Sequence, residues 1–240
     1  MSLSHEDLID NLMCKFNGVQ IGKATLFNCD CNDLMAQVPE KHFELSCVDP
    51  PYGIGENGDR NASRSKLAVA QDYKSFAGND DEPPPLEYFR ELIRVSKNQI
   101  LWGANHYADR LPNPKSSCWI VWDKVTGDSD FADCELAWTS FDTAVRKFTF
   151  QWSGMLQGDM KNKEVRIHPT QKPVKLYEWL LSKYAKEGHK ILDTHGGSLS
   201  NVIACLNLGY EIVCTELDEH YFSEGVDRVR KSQQQQRLFA

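Results

Sequence analysis

Asp49-Pro50-Pro51-Tyr52 places a carboxylate, a stiffened backbone and a flat phenol ring within four residues. The two prolines fix φ and remove two backbone donors, so the carbonyls of the turn meet no competing N–H groups. Asp49 accepts a hydrogen bond from an amine, and the Pro50 carbonyl accepts another. Tyr52 offers a face on which a planar ring stacks. Together they would hold a ring-bound amino group from two sides. The plainer reading is a Pro-Pro turn with an exposed Asp and a packed Tyr, and context must decide between the two.

The elements around this turn supply that context. Phe43-Glu44-Leu45-Ser46-Cys47-Val48 runs into it and reads as a buried strand. Gly-, Asn- and Ser-rich sequence follows, so the turn sits where a central strand ends, the edge at which open α/β sheets bind ligands. Far downstream, Lys190 to Leu192 reads as a strand, Ser200 to Leu208 as a helix stopped by Gly209, and Glu211 to Thr215 as the next strand. The loop between the first two, Asp193-Thr194-His195-Gly196-Gly197-Ser198, gains backbone N–H groups and a helix N-terminus. Glu216 ends the following strand, where an acid in nucleotide-binding α/β folds bonds ribose hydroxyls. The loop is not Gly-x-Gly-x-x-Gly, and a dinucleotide-dependent oxidoreductase would give no reason for Asp-Pro-Pro-Tyr.

Asp-Pro-Pro-Tyr resembles the catalytic motif of S-adenosylmethionine-dependent DNA amino-methyltransferases. His168-Pro169-Thr170-Gln171-Lys172-Pro173 is similar to the family segment that contacts the methionine part of the cofactor, and Asp193 to Ser198 to the family's glycine-rich cofactor loop. The catalytic motif comes first and the cofactor loop last, an order similar to the permuted class usually called β. The resemblance covers the chain from about Ala24 to Tyr221. It implies a three-layer, Rossmann-like α/β methyltransferase fold, with a mostly parallel sheet and helices on both faces. It further implies S-adenosyl-L-methionine as cofactor, double-stranded DNA as substrate and a flipped target base.

In that reading Tyr52 stacks on the base while Asp49 and the Pro50 carbonyl accept from its amine. Thr170, Lys172, Asp193, His195, Gly196, Gly197, Ser198 and Glu216 line the cofactor, with Lys172 meeting its carboxylate. Asp30 contacts the adenine of the cofactor or, on the plainer reading, caps a helix from Asn32 to Val38. Asp at the head of the motif more often accompanies adenine N6 as the target, and cytosine N4 is the alternative. The family loop usually reads Gly-Ser-Gly. Here Leu199 follows Ser198, and His195 stands where an aromatic residue is common. A Leu at this place would crowd the cofactor unless the turn has shifted. A catalytically inactive, cofactor- or DNA-binding relative is therefore a further alternative.

The length of 240 residues fits one larger α/β domain, and 41% hydrophobic with 25% charged residues is ordinary for a globular protein. No apolar run reaches membrane-spanning length, and the first residues lack a secretory signal, so a cytoplasmic location is expected. The 8 cysteines are scattered, Cys29-x-Cys31 has no second pair at zinc spacing, and no metal site is expected. A net charge of −7 argues mildly against nucleic acid. The basic residues are nevertheless clustered: Arg146, Lys147, Lys161, Lys163, Arg166, Lys172 and Lys175 fall close together. Arg146, Lys147, Lys161 and Lys163 are candidate DNA contacts, as are Arg60, Arg64 and Lys66 in the long polar loop of residues 54–80, which is expected to be mobile without DNA.

The remaining elements follow from patterning. Ser4 to Phe16 reads as a helix capped by Ser4, with Leu8, Ile9, Leu12 and Met13 on one face. Gly22 to Asn28, Gln99 to Trp102 and Ser117 to Trp122 read as strands, and Pro83 to Ser96 as a helix with Tyr88, Phe89, Leu92, Ile93 and Val95 inward. Ala132 to Trp152 reads as a hairpin or paired strands joined around Asp142-Thr143. Residues 124–167 form a short target-recognition region. Pro173 to Glu187 reads as a helix ended by Gly188. By analogy with the family a homodimer is expected. The last residues, 230–240, read as a polar tail, although Gln235-x-x-Leu238-Phe239 resembles peptides that dock on bacterial sliding clamps.

Overall fold

A computed structural model describes residues 4–55, 80–111, 113–126, 132–153 and 156–239. The polar loop after Ile54 lies mostly outside them, and with it Arg60, Arg64 and Lys66. The chain opens with helix α1 (His5–Phe16), capped as expected by the Ser4 hydroxyl, which accepts from Asp7 N at 3.1 Å. Strands β1 (Val19–Ile21) and β2 (Ala24–Asn28) form a hairpin, and Asp30 then caps the short helix α2 (Cys31–Met35). Strand β3 (Phe43–Val48) leads into Asp49. Helix α3 (Leu86–Val95) and strand β4 (Ser96–Trp102) follow, then β5 (Trp119–Asp123), β6 (Cys134–Thr139) and β7 (Arg146–Thr149). A small β8 (Trp152–Ser153) and β9 (Leu156–Gln157) pair separately. Helix α4 (Val174–Tyr184), strand β10 (Lys190–Asp193), helix α5 (Ser200–Leu208), strand β11 (Glu211–Glu216) and helix α6 (Glu219–Phe239) complete the chain.

One sheet takes the order β1-β2-β11-β10-β3-β4-β6-β5-β7. Neighbours from β2 to β4 are parallel, while β1 and β6 run against the rest. The central strands are apolar on both sides, as a sheet covered by helices requires. Helices α1, α2 and α3 bury Leu8, Leu34, Phe89 and Leu92 with Leu101, Leu192 and Val213 on one face. Helices α4, α5 and α6 bury Leu180, Val202 and Val229 with Cys47, Ile100, Ile191 and Ile212 on the other. From β3 the chain winds outward through α3 to β4, and from β10 it winds the other way through α5 to β11. The strand order therefore reverses between β10 and β3, and Asp193 and Asp49 close or follow those two strands at their carboxyl ends. That crevice is where such sheets bind ligands.

Two expectations change. The residues 132–152 do not form a hairpin: β6 lies between β4 and β5, and β7 pairs parallel to the far side of β5. The expected recognition region thus supplies strands to the main sheet. Nor do residues 230–239 form a tail, since they continue helix α6. Helix α4 ends at Tyr184, ahead of the left-handed Gly188. Among the described residues no helix is long and apolar enough to cross a membrane.

Candidate active site

The Asp49 turn is held from several directions. Asp80, 6% exposed, accepts from three successive amides: Tyr52 N at 2.5 Å and Gly53 N at 2.8 Å through Oδ1, and Ile54 N at 3.3 Å through Oδ2. One carboxylate thereby fixes the backbone that carries the phenol. The ring itself lies over Gly103, the residue after β4. A Cβ built on Gly103 would come 2.1 Å from Tyr52 Cε1, and the residue sits at φ +71, so only glycine fits there. His106 stacks on Tyr52 with ring centroids 5.3 Å apart and planes 13° from parallel.

The polar end of the turn meets a residue from far away in the chain. Tyr52 OH donates to Asp49 Oδ1 at 2.6 Å. Lys172 Nζ donates to Asp49 Oδ2 and, at 3.0 Å, to Tyr52 OH. The ammonium also lies 3.1 Å from Glu135 Oε2 on β6, whose Oε1 accepts from Lys124 Nζ at 2.8 Å. The Lys172 side chain is 4% exposed, so its charge is compensated by these carboxylates instead of water. Burial pushes the Asp49 carboxyl above the usual range, with Lys172 opposing it and Glu135 adding to it. Burial also works against the Glu135 charge, but Lys172 and Lys124 outweigh it and pull that carboxyl down to about 2. Burial likewise disfavours the Lys172 charge, yet Asp49 and Glu135 hold it above the ordinary lysine value.

Beside this cluster lies the glycine loop. Asn201 of α5, 1% exposed, donates to Cys47 O on β3 at 3.1 Å and to Asp193 Oδ2 at 2.9 Å, tying the two strand ends together. Asp193 Oδ1 accepts from His195 N at 3.1 Å, and burial raises its carboxyl to about 7 against these bonds. Gly196 N bonds Thr215 O at 2.8 Å, and Glu216 accepts from Gly197 N at 2.6 Å and Asp218 N at 2.9 Å. His195 is half-buried, and desolvation lowers it to about 4; its Nδ1 lies 2.9 Å from Thr194 Oγ1, itself 2.7 Å from Tyr88 OH. Ser198 O accepts from Arg228 Nη1 at 2.6 Å. Arg228 Nη2 also binds Glu164 at 2.7 Å, which links the loop to the segment ahead of α4.

Leu199 takes the left-handed conformation at φ 57, and its side chain points into the core, 1% exposed. It packs against Gly196 and Gly225 of α6. An added Cβ would meet it at 2.5 Å on the first and 2.7 Å on the second. The leucine side chain is thus accommodated on the core side of the turn.

The loop fits a nucleoside that carries hydroxyls and a positive charge. Asp193 and Glu216 are acceptors at adjacent strand ends. At Gly197, φ +51, an added Cβ would find no atom nearer than the His168 ring at 3.8 Å. The structure thus brings together Asp49, Pro50, Pro51, Tyr52 and Lys172 in one cluster and Asp193 to Ser198 with Glu216 in another. Lys172 is committed to Asp49 and Glu135, where the resemblance placed it on the cofactor carboxylate. Thr170 is exposed and bonds His168 Nδ1 at 3.1 Å. Asp30 caps α2 through Oδ1, accepting from Asn32 N at 2.7 Å. Arg146, Lys147, Lys161 and Lys163 are all exposed.

Sequence reasoning passed over Asp80, Asn201, Arg228 and Glu135. For Glu135 a signal existed: it is the one acid within the strand Cys134-Glu135-Leu136-Ala137-Trp138-Thr139. Asp80 gave none, since it belongs to an acidic run, Asp80-Asp81-Glu82, that reads as solvated.

Solved structures share this fold. The M1.HpyAVI–S-adenosylmethionine complex is 19% identical, with a TM-score of 0.53 over 85% of this chain and 99% of that one. The cytosine-N4-specific PvuII DNA methyltransferase is 11% identical, with a TM-score of 0.56 over 88% and 90%. TTHA0409 of Thermus thermophilus, solved with S-adenosyl-L-methionine, is 16% identical, with a TM-score of 0.55 over 86% and 93%. At these identities the likeness establishes the Rossmann-like architecture. A family model described as DNA methylase, covering N6 and N4 methyltransferases, matches residues 101–227, more than half of the sequence. With that match the chain belongs to the N6/N4 DNA methylase family.

Proposed function

We propose that this protein transfers a methyl group from S-adenosyl-L-methionine to the N6 amine of adenine in double-stranded DNA. The observation that carries the reading is the pairing, across neighbouring strands β3 and β10, of an amine-accepting carboxylate at Asp49 with a glycine loop flanked by Asp193 and Glu216. When bound, the cofactor supplies an electrophilic methyl on a sulfonium. Glu216 would take its ribose hydroxyls, and Asp193 with the Gly196–Gly197 backbone would shape its pocket. Asp30 keeps Oδ2 for the cofactor's adenine, since both bonds that it makes to Asn32 use Oδ1. His168, held neutral because burial lowers it to about 3, flanks Gly197.

The target amine is inaccessible within a duplex, so the base leaves the stack at a cost of about a few kcal/mol. Tyr52 receives its ring, with His106 as the ring's present neighbour. Asp49 and the Pro50 carbonyl accept from the two N–H groups and favour a pyramidal nitrogen whose lone pair faces the methyl. With that methyl accepted by nitrogen and the neutral thioether as leaving group, Asp49 would take the proton shed by nitrogen and pass it to water. Positioning supplies much of the acceleration. The exposed Arg146, Lys147, Lys161 and Lys163 supply phosphate contacts, as do Arg60, Arg64 and Lys66.

Asp at the head of the motif supports adenine. The likeness to a cytosine-N4-specific enzyme supports cytosine N4 as the second reading. The test incubates purified protein with unmethylated bacterial DNA and S-adenosylmethionine and measures modified nucleosides by mass spectrometry. N6-methyladenine that disappears with Asp49→Ala is the expected result. N4-methylcytosine would replace the base and keep the mechanism, and the absence of both, without cofactor binding, would remove the enzyme assignment.

A further inference from the structure

Asp49 must accept from a substrate amine, yet both its oxygens already have donors. Tyr52 OH serves Oδ1, and the Lys172 ammonium serves Oδ2. A lysine dedicated to this carboxylate alone would neutralise it and compete with the amine. The structure shows a second anion drawing on the same lysine. Glu135 reaches Lys172 from β6, which lies beside β4 and so two strands from β3. Glu135 is itself steadied by Lys124, which follows β5. The row Asp49–Lys172–Glu135–Lys124 alternates in charge and runs from the turn toward the outer strands.

We propose that Glu135 and Lys172 are positioning residues for methyl transfer: Lys172 holds Asp49 ionised and in place, and Glu135 shares that lysine so that Asp49 keeps acceptor strength for the amine. The inference rests on the functional reading above. It makes the two residues act in opposite senses on one carboxyl. Removing Lys172 leaves Asp49 buried beside another anion, so its proton is harder to remove. Removing the Glu135 charge leaves Asp49 with an undivided ammonium and no repelling neighbour, so its proton comes off more easily while its oxygens bind an amine less well.

The other groups facing this site do not reproduce that pattern. Burial pushes Cys47, Tyr107 and Tyr177 well up, so they stay neutral. Tyr52 is pushed up in the same way and stays a donor. Asp193, near 7, faces Asn201, His195, Asp49 and Glu216.

The experiment measures two quantities in wild type, Glu135→Gln, Glu135→Asp and Lys172→Gln. One is the titration of the Asp49 carboxyl carbon by 13C NMR in the protein without cofactor. The other is the pH profile of single-turnover methyl transfer. Glu135→Gln is expected to lower the Asp49 midpoint and the acid limb of the profile by about one unit, and the plateau rate about tenfold. Lys172→Gln is expected to raise both the midpoint and the acid limb. Glu135→Asp, which keeps the charge, should titrate like wild type. Midpoints that coincide in wild type and Glu135→Gln, or a rise in the latter, would overturn the proposal, since a residue that only supports the fold would not move Asp49 downward. If wild type transfers no methyl group, the functional reading fails, and the carboxyl titration still decides whether Glu135 and Lys172 govern Asp49.

Discussion

Asp80 is the sharpest lever on the turn that follows Asp49. Its Oδ1 accepts from Tyr52 N and Gly53 N at 2.5 and 2.8 Å, and its Oδ2 from Ile54 N at the weaker 3.3 Å. Hydrogen bonds to a charged acceptor are worth about 1.5–3 kcal/mol each. Two good ones and one long one, partly replaced by water in Asp80→Ala, give a loss of about 3 kcal/mol. Asp80→Asn is milder. Its carbonyl keeps the first two bonds and turns an NH2 group toward Ile54 N, for a loss of about 1 kcal/mol. In a chain of this size each kcal/mol moves Tm by roughly 2–4 °C, so Asp80→Ala should melt about 6–12 °C below wild type. The turn carries Tyr52, so displacement of about 1 Å should also slow methyl transfer on the order of 100-fold, measured at saturating DNA and cofactor. An Asp80→Ala protein that melts with wild type and transfers at the same rate would refute the claim that this carboxylate fixes the turn.

Gly103→Ala places a Cβ 2.1 Å from the Tyr52 ring at φ +71, so it should cost about 2–4 kcal/mol and lower kcat, read by urea denaturation and single-turnover rates. His195 sits at about 4 in the fold against 6.5 unfolded, because burial disfavours its charge. Its contribution is therefore full above about pH 6.5 and is lost as pH falls toward 4, by at most about 3 kcal/mol. His168, at about 3, acts in the same sense, while Asp193, raised to about 7, gains stability as pH falls over the same window. Stability in urea at pH 7 and pH 5 should accordingly fall less in His195→Gln than in wild type.

Where local chemistry decides, the sequence was readable. The β10–α5–β11 unit is found almost to the residue, because Gly209 stops the helix and Asp193 and Glu216 close short apolar strands. The α1 cap and the place of Asp49 at the end of β3 were legible for the same reason. Strand pairing was not. Nothing near Asp142 records that β5 inserts between β6 and β7, since that order is set by contacts distant in the chain. The partner of Lys172 was hidden likewise. It depends on β6 packing beside β4, which brings Glu135 to a lysine 37 residues later in the chain and to an aspartate 86 residues earlier. Asp80 stayed hidden because the amides it accepts from lie across the polar loop from it.

Leu199 and Gly225 carry a consequence for how such chains diverge. Where the resemblance implies a loop glycine, this chain has a left-handed leucine, and a glycine in α6 leaves the room that its side chain fills. Left-handed geometry costs a non-glycine residue about 1–2 kcal/mol, whereas deleting a buried leucine costs about 2–5 kcal/mol. Restoring glycine at 199 alone therefore loses more than it relieves, and enlarging 225 first collides with the leucine. Each single step leads downhill in stability, so the two solutions are separated by a valley that a lineage crosses only by changing both positions together. Relatives should accordingly fall into two groups, Leu with Gly or Gly with a larger residue, with mixed pairs rare.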